Sequence, residues 1–281
     1  MNGILTIAHL TFHEAKGRRV VLAALILGAA FLLIFGIGFH QIYQDGVANS
    51  HLSIMPRVEQ RVGLQFVAMA GLYAVNFLVV MMAVLTPIDT LSGDIRSGTI
   101  QTLVTKPIHR ETILLGKWLA FWIILAVYLV MMAGGVLLIV YAVSGIQLPD
   151  APTGIAFMLL EGTVLLTLSI LGGTRLSTLA NGVTVLGLYA LSFIGGWMEQ
   201  IGSLLGNGTA QNFGIITSLL VPTEAMWQLA AYHMQPPLMR DVAITPFSIT
   251  SVPSTGMVVW AVIYVVVMLL IALRQFRTRD L

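Results

Sequence analysis

Residues 89–117 read DTLSGDIRSGTIQTLVTKPIHRETILLGK, and this polar stretch separates two strongly apolar runs, residues 62–86 and 118–143. Each run is long enough to cross a bilayer, because about 20 helical residues at about 1.5 Å each span the hydrocarbon core. The stretch carries four of the 14 Lys and Arg residues of the chain. It is therefore predicted to join two spanning helices on one side of a membrane.

The composition points to the same class of protein. Of 281 residues, 57% are hydrophobic and 9% are charged, and the mean hydropathy is +0.92. A soluble domain carries roughly 25% charged residues, whereas a charge at the bilayer centre costs about 2.5 to 3.5 kcal/mol. The composition therefore predicts an all-α membrane protein. A net charge of +2 gives no reason to expect nucleic-acid binding, and zero cysteines exclude disulfides.

Outward from this stretch, the hydropathy predicts a single transmembrane domain, residues 1–281, with six transmembrane helices. The predicted spans are residues 20–39, 62–86, 118–143, 154–172, 181–198 and 256–273. Residues 1–19 are predicted to form an amphipathic interfacial helix, because polar residues recur there at helical spacing. Residues 88–117 are the predicted cytoplasmic loop, and residues 199–255 are a predicted external segment with short helices.

Helix ends are predicted from local signals. Pro87 is expected to end the second span, because proline lacks the N–H that continues a helix. In the external segment, Thr223 is the expected N-cap of a short helix that reaches about His233, with Glu224 in its first turn. Asn76 and Asn181 are polar residues within spans and are expected to form hydrogen bonds between helices.

Orientation follows from the basic residues. Eleven of the 14 Lys and Arg residues lie on the side of the termini, the 88–117 loop and Arg175, and only Arg57, Arg61 and Arg240 lie on the other side. Positive residues concentrate in cytoplasmic segments. Both termini are therefore predicted to be cytoplasmic.

The sequence carries no signature of an enzyme. A Walker A motif, an HExxH motif and a GxSxG motif are all missing from the sequence. His9 and His13 are spaced for one face of a helix, but no third ligand lies near them in the sequence, so no metal site is predicted.

Two features invite a functional interpretation. The first is the 88–117 loop, in which a short helix with charged ends and an apolar edge would fit a groove on a soluble partner; an ordinary interfacial loop is the alternative. The second is Glu161, the one ionisable residue well inside a span, roughly 10 Å from its outer end. Intramembrane ionisable residues often mark a pathway. A hydrogen bond to a neighbouring helix, or a helix that begins later and leaves Glu161 near the headgroups, is the alternative.

The loop resembles the characteristic motif of the ABC-2 type permeases, the membrane subunits of type V ATP-binding cassette (ABC) transporters. Members often show an acidic residue, then Gly-Thr, a short apolar helix that ends at proline, and Leu-Leu-Gly-Lys. The matching positions here are Asp94, Gly98, Thr99, Leu103, Lys106, Pro107, Arg110 and residues 114–117. Asp94 and Lys106 stand where Glu and Arg are common, and both preserve the charge. Nitrous-oxide reductase maturation permeases are among the similar relatives.

The resemblance implies the permease subunit of an exporter in the inner membrane of a prokaryote. It implies docking of a cytoplasmic ABC ATPase through the loop, a homodimer in contact with membrane lipid, and an external accessory protein as a further candidate partner. ATP and Mg would be bound by the ATPase and not by this chain. The implied docking residues are Asp94, Arg96, Gly98, Thr99, Leu103, Lys106, Pro107 and Arg110, with Arg175 as a candidate second contact.

Two alternatives belong to other classes. A secondary transporter would work without an ATPase and would use Glu161 as a proton relay. A membrane anchor would transmit force to a partner and move no solute. A flux measurement in liposomes separates the anchor from both transporters.

Overall fold

A computed structural model of the protein describes residues 3–16, 19–48, 56–96, 109–236 and 251–278. Within these residues the chain forms nine α-helices and no strand, which confirms the all-α class. The helices are α1 Gly3–Lys16, α2 Arg19–Ala48, α3 Pro56–Arg96, α4 Arg110–Ser144, α5 Ala151–Gly173, α6 Thr178–Leu205, α7 Gly208–Leu220, α8 Thr223–Met234 and α9 Thr255–Arg277.

Six of these helices are long and apolar enough to cross a membrane, as predicted. They are Arg19–Ala48, Gln60–Ile88 within α3, Arg110–Ser144, Ala151–Gly173, Thr178–Leu205 and Thr255–Arg277. Each predicted span lies inside one of them, and the helices extend beyond the predicted ends. The reason is that hydropathy records the apolar part of a helix, whereas the helix itself continues among polar residues at the interface.

Two predicted helix ends are wrong. Pro87 lies inside α3, which continues to Arg96. Proline removes one backbone hydrogen bond, and a transmembrane helix packed against neighbours tolerates this loss. Thr223 is the first residue of α8 and Pro222 is the N-cap; the N–H of Glu224 donates instead to Ser192 Oγ of α6, at 3.2 Å. The predicted extent of this helix and the place of Glu224 in its first turn are confirmed.

Helix α5 lies at the centre of the molecule. Ten consecutive residues of α5, 161–170, are buried. Since ten residues cover every face of a helix, α5 is enclosed on all sides, and it contacts α3, α4, α6, α8 and α9. The outer helices α2 and α9 are buried over only a small share of their spans and present large apolar side chains outward.

Helices α4 and α5 are joined by two parallel hydrogen bonds. The indole N–H of Trp118 donates to Thr167 Oγ at 3.0 Å, and that of Trp122 donates to Thr163 Oγ at 3.0 Å. The two indoles stack with ring centroids 6.5 Å apart. Four-residue spacing on both helices repeats the contact one turn along, which fixes the register between the helices.

Asn181 forms the interhelical bond expected of it. Its Nδ2 donates to the backbone oxygen of Ser169 at 2.8 Å, while Ser169 Oγ donates to the backbone oxygen of Val84 at 3.0 Å. These bonds connect α6, α5 and α3 in series, so polar contacts hold the central helix to three of its neighbours.

The tryptophan bonds give a first prediction. Replacing Trp122 by Phe keeps most of the buried area and removes one interhelical hydrogen bond, so we expect a loss of about 0.6 kcal/mol and at most about 1.7 kcal/mol. A double-mutant cycle of Trp122→Phe with Thr163→Val in thermal unfolding measures the coupling. Additive effects of the two substitutions would contradict this bond as a stabilising interaction.

Candidate functional site

The predicted docking residues fall partly within the described chain. Asp94 and Arg96 lie in the last turn of α3, and Arg110 begins α4. The other predicted docking residues, Gly98, Thr99, Leu103, Lys106 and Pro107, lie outside the described residues. The stretch that follows Pro87 therefore begins as a direct continuation of a spanning helix.

Several chain segments meet at one end of the bundle, which we call the basic end: the start of α4, the α5–α6 connection and the end of α9. Arg110 Nη1 donates to the backbone oxygen of Arg277 at 3.3 Å, and Arg277 Nη1 lies 3.5 Å from Glu111 Oε1. Thr174 Oγ donates to Gln275 Oε1 at 2.8 Å. These contacts join α9 both to α4 and to the residue before Arg175.

The N-terminal helix α1 also packs at the basic end. A Cβ at Gly116 would lie 2.6 Å from Ile7 Cβ and 3.0 Å from the backbone oxygen of Ile4, so only glycine permits this approach. Ile7 and Ala8 are buried there. Gly116, the glycine in the Leu-Leu-Gly-Lys segment, is thus the position at which α1 packs on α4. Arg175, the residue after Thr174, is exposed in the short α5–α6 connection.

Glu161 lies in the interior of the bundle. It is 0% exposed, and Asn76 Nδ2 of α3 donates to its Oε1 at 3.2 Å. Its Oε2 is buried without a hydrogen-bond partner among the described residues. No Lys or Arg of the described chain forms an ion pair with it. The bond from Asn76 is the interhelical bond expected of that residue.

Glu161 also lies farther from the start of its helix than predicted. Helix α5 begins at Ala151, ten residues before Glu161, which places the carboxyl roughly 15 Å from the helix start at about 1.5 Å per residue. The alternative in which the helix begins later, close to Glu161, is wrong.

A second carboxyl, that of Glu224, approaches from α8. Glu224 is 5% exposed and packs with Gln228 against Gly196 of α6, where any side chain would collide with both. Gln228 Nε2 donates to the backbone oxygen of Gly196 at 3.5 Å. Glu224 and Glu161 interact electrostatically. The glycine therefore allows α8 to bring an acidic and an amide side chain to the polar interior.

A third carboxyl, that of Glu199, lies near the end of α6. It is 7% exposed, accepts a hydrogen bond from Ser251 Oγ at 2.6 Å, and interacts electrostatically with Glu224. The sequence interpretation ended the fifth span at Met198 and left both Glu199 and Glu224 as residues of an external segment. A usable signal was present, because two acidic residues flank an apolar segment in a chain with only 9% charged residues.

Burial changes the acidity of Glu224. Removal from solvent, followed by repulsion from Glu199, raises the pKa of the Glu224 carboxyl from 4.5 to about 8. Its folded form therefore retains a proton that the unfolded chain releases near pH 4.5. Folding stability should then fall as the pH rises from about 4.5 to about 8.

This gives a second prediction. The free energy of unfolding of the wild-type protein, measured by thermal unfolding, should decline between pH 5 and pH 8. Glu224→Gln should reduce the slope of this decline by up to about 1.4 kcal/mol per pH unit. Asp45→Asn is the matched control, because Asp45 is exposed on α2. An unchanged slope in Glu224→Gln would contradict the assignment.

A cavity of about 440 Å³ lies between α3 and α6 and reaches Asn76. Its wall is largely aromatic and aliphatic, and includes Tyr73 and Phe77 from α3 and Leu186, Tyr189 and Phe193 from α6. Both Glu161 and Glu224 interact electrostatically with Tyr73 and Tyr189. The cavity therefore lies beside the polar interior that contains the carboxyl groups, and Asn76, which donates to Glu161, forms part of its wall. In the described parts of the chain, His, Cys, Asp and Glu form no group that could hold a metal ion.

These features define a class: a multi-pass helical membrane protein with an intramembrane polar centre. The sequence matches the family described as ABC-2 family transporter protein over residues 6–281. The chain belongs to this family and is a permease subunit of an ABC transporter, a membrane component that works with an ABC ATPase subunit. No match was found among curated proteins.

The family assignment has two consequences for the earlier expectations. It supports an ABC permease rather than a secondary transporter or a membrane anchor. It does not extend to the nitrous-oxide reductase maturation permeases, so that narrower likeness stays a prediction.

Proposed function

We propose that this permease subunit docks a separate cytoplasmic ABC ATPase through residues 88–117 and exports a substrate. The ATPase would bind ATP and Mg and would carry out hydrolysis, while this chain would convert the motion of the ATPase into a change in its spanning helices. We further propose a homodimer in a prokaryotic inner membrane, with both termini in the cytoplasm. The external segment would be the surface for an accessory protein.

The observation that carries the docking proposal is the continuity of α3. This helix has 41 residues and runs without a break from Pro56 to Arg96, which corresponds to roughly 60 Å at about 1.5 Å per residue. Its end carries Asp94 and Arg96, and its middle carries Asn76, which donates to Glu161. A displacement at the docking residues would reach the central carboxyl through one continuous helix.

The contacts at the basic end support the same proposal. Arg110, which follows the proposed docking segment, is tied to the end of α9, and α1 packs on Gly116 one turn and a half further along α4. Arg175 lies in a connection between two spanning helices and is the proposed second contact. An ATPase bound at this end would meet segments that lead into α3, α4, α5 and α6.

Glu161 is the proposed element of the substrate pathway. A carboxyl buried in the spanning region without a cationic partner among the described residues is costly. Its position one hydrogen bond behind the cavity-lining Asn76 favours a role toward a bound molecule over a role in packing alone.

The docking proposal predicts the behaviour of the purified complex. Asp94→Lys should remove most of the co-purifying ATPase, because it reverses a charge within the proposed contact, and Gly98→Trp should do the same by bulk. Both variants should still insert in the membrane at wild-type levels. The measurement is the ratio of ATPase to permease after mild-detergent purification of the tagged chain, together with ATP-driven flux in proteoliposomes.

The matched control is Asp150→Lys, which makes the same charge change at an exposed site before α5, and it should leave the ratio unchanged. Undiminished ATPase binding by both docking variants would overturn the docking proposal. Flux that persists without any ATPase would instead favour a proton-coupled transporter that uses Glu161.

Orientation is tested by cysteine labelling, since the chain contains no cysteine. Arg175→Cys should react with a membrane-impermeant maleimide only after the cells are opened, whereas Asp150→Cys should react in intact cells. The reverse pattern would show that the basic end faces outward and would contradict the proposed cytoplasmic docking.

A further inference from the structure

Three buried carboxyl groups, which we call the carboxyl row, lead from the far end of α6 to the centre of the bundle. Glu199 interacts electrostatically with Glu224, and Glu224 interacts with Glu161. In this order the three residues are 7%, 5% and 0% exposed. They belong to three different helices, α6, α8 and α5. The row therefore crosses from helix to helix and becomes more deeply buried toward the centre.

Glu199 is the member of the row that is linked to the protein surface. It lies six residues before Leu205, the end of α6, and so at the end of the bundle opposite the basic end. Ser251 Oγ donates to Glu199 Oε1 at 2.6 Å. Gln200 holds Ser251 in place, because its Nε2 donates to the Ser251 backbone oxygen at 2.9 Å and its Oε1 accepts from the Ser251 N–H at 3.0 Å. Ser251 is partly exposed, and a hydroxyl can accept one proton while it donates another.

Two glycines fix the positions of the outer and middle carboxyls. A Cβ at Gly196 of α6 would collide with the Glu224 side chain, and a Cβ at Gly214 of α7 would collide with Cα and Cβ of Glu199. Each carboxyl thus lies where two helix backbones approach closely. Close packing of this kind holds the groups at constant separations, as a relay of protons between them requires.

The surroundings of the row contain further acidic groups and no described cation paired with it. The titratable groups that interact with Glu224 from neighbouring helices are Glu161 of α5, Glu199 and Tyr189 of α6, and Tyr73 of α3. Helix α7 contains no titratable residue, and α9 packs on α8 with apolar side chains. On α8 itself, His233 pairs with Asp150 near the opposite end of that helix.

The charge of the row favours bound protons. No described Lys or Arg forms an ion pair with any of its three carboxyls. Adjacent carboxylates without a counter-ion repel one another strongly in a medium of low dielectric constant. Protonation of a carboxyl removes this repulsion, in agreement with a pKa of about 8 for Glu224.

Hydrogen bonding around the row independently requires additional donors. Glu161 Oε2, Asn76 Oδ1 and Gln228 Oε1 are buried without a hydrogen-bond partner among the described residues. Gln228 is 2% exposed and packs beside Glu224 at Gly196. All three atoms are acceptors, so they cannot satisfy one another. A proton on a carboxyl of the row converts one of its oxygens into a donor, and the unsatisfied acceptors therefore point to protons as the ligand.

We propose that Glu199, Glu224 and Glu161 form a proton path from the outer solution to the centre of the bundle, and that the permease binds protons at Glu161. The first proton comes from water through the Ser251 hydroxyl and adds one positive charge to the row. In each later step an O–H bond of one carboxyl breaks and an O–H bond of the next carboxylate forms. The path needs neither the ATPase nor a substrate, and only its outer side rests on the proposed orientation.

The test follows hydrogen–deuterium exchange at the Glu161 carboxyl. Infrared difference spectra of the full chain are recorded in phosphatidylcholine nanodiscs at pH 6, where the C=O stretch of a protonated carboxyl is separate from the amide bands and shifts in D₂O. The Glu161 band is the one that Glu161→Gln removes and Glu161→Asp shifts. In the wild type we expect this band to be present and to shift in D₂O well before the backbone amides of the buried helices exchange.

Isosteric variants then assign the exchange to the path. Glu199→Gln keeps an acceptor for Ser251 and Glu224→Gln keeps the side-chain volume, but neither amide group relays a carboxyl proton. Each variant should slow exchange at Glu161 about tenfold or more, because local opening of the helices is then the remaining route, and Glu224→Asp should restore part of the rate. Asp45→Asn, at an exposed position on α2, should behave as wild type. Glu199→Gln keeps the path testable if Glu224→Gln does not fold.

The absence of a protonated-carboxyl band that depends on Glu161 would overturn the proposal. Unchanged exchange at Glu161 in both Glu199→Gln and Glu224→Gln would overturn it too, because protons would then reach Glu161 by another route. Slower exchange that is matched by slower backbone amide exchange would assign the effect to a more rigid fold and would contradict the path as well. Loss of ATPase binding in Asp94→Lys with unchanged exchange at Glu161 separates this inference from the docking proposal.

Discussion

The enclosure of α5 by other helices is the constraint from which the rest of the structure follows. Because residues 161–170 are buried on every face, neither water nor lipid headgroups can satisfy their polar side chains, and the partners must come from the backbone of α5 or from neighbouring helices. Trp118 and Trp122 supply them from α4, and Asn76 supplies one from α3. At Glu161 one carboxyl oxygen, Oε2, has no hydrogen-bond partner among the described residues. The asparagine that donates to the other oxygen, Asn76, also lines a cavity.

Hydropathy was sufficient to predict the six spans, because bilayer thickness fixes how long an apolar helix must be. It was insufficient at the helix ends. Pro87 is a strong stop signal in an isolated helix, but in α3 it is buried and the helix continues to Arg96. Thr223 is a good N-cap by type, but Ser192, distant in sequence, receives the N–H that a cap would have received. In both cases tertiary packing overrides a local preference.

The polar centre was predictable from the sequence only where a charged residue stands within an apolar run, because such a position is energetically unfavourable in a membrane. A charge within an apolar run identified Glu161. Glu199 and Glu224 lie at helix ends, where a carboxylate is usually solvated, and their burial depends on how α8 packs on α5 and α6. The glycine that permits this packing, Gly196, has no feature in the sequence that distinguishes it from the other glycines. The proposed docking residues rest on a resemblance to a family motif, since their spacing also fits an ordinary interfacial loop.

The packing of α1 on Gly116 of α4 has a consequence for biosynthesis. Helix α1 leaves the ribosome before α4, yet the surface on which Ile7 packs belongs to α4, more than one hundred residues later in the chain. Until α4 has been inserted, the apolar side of α1 has no protein partner and must be covered by the membrane surface or by a chaperone. Helix α1 therefore reaches its final contacts only after α4 has followed it into the membrane, and its packing on Gly116 requires that α2, α3 and α4 have been inserted.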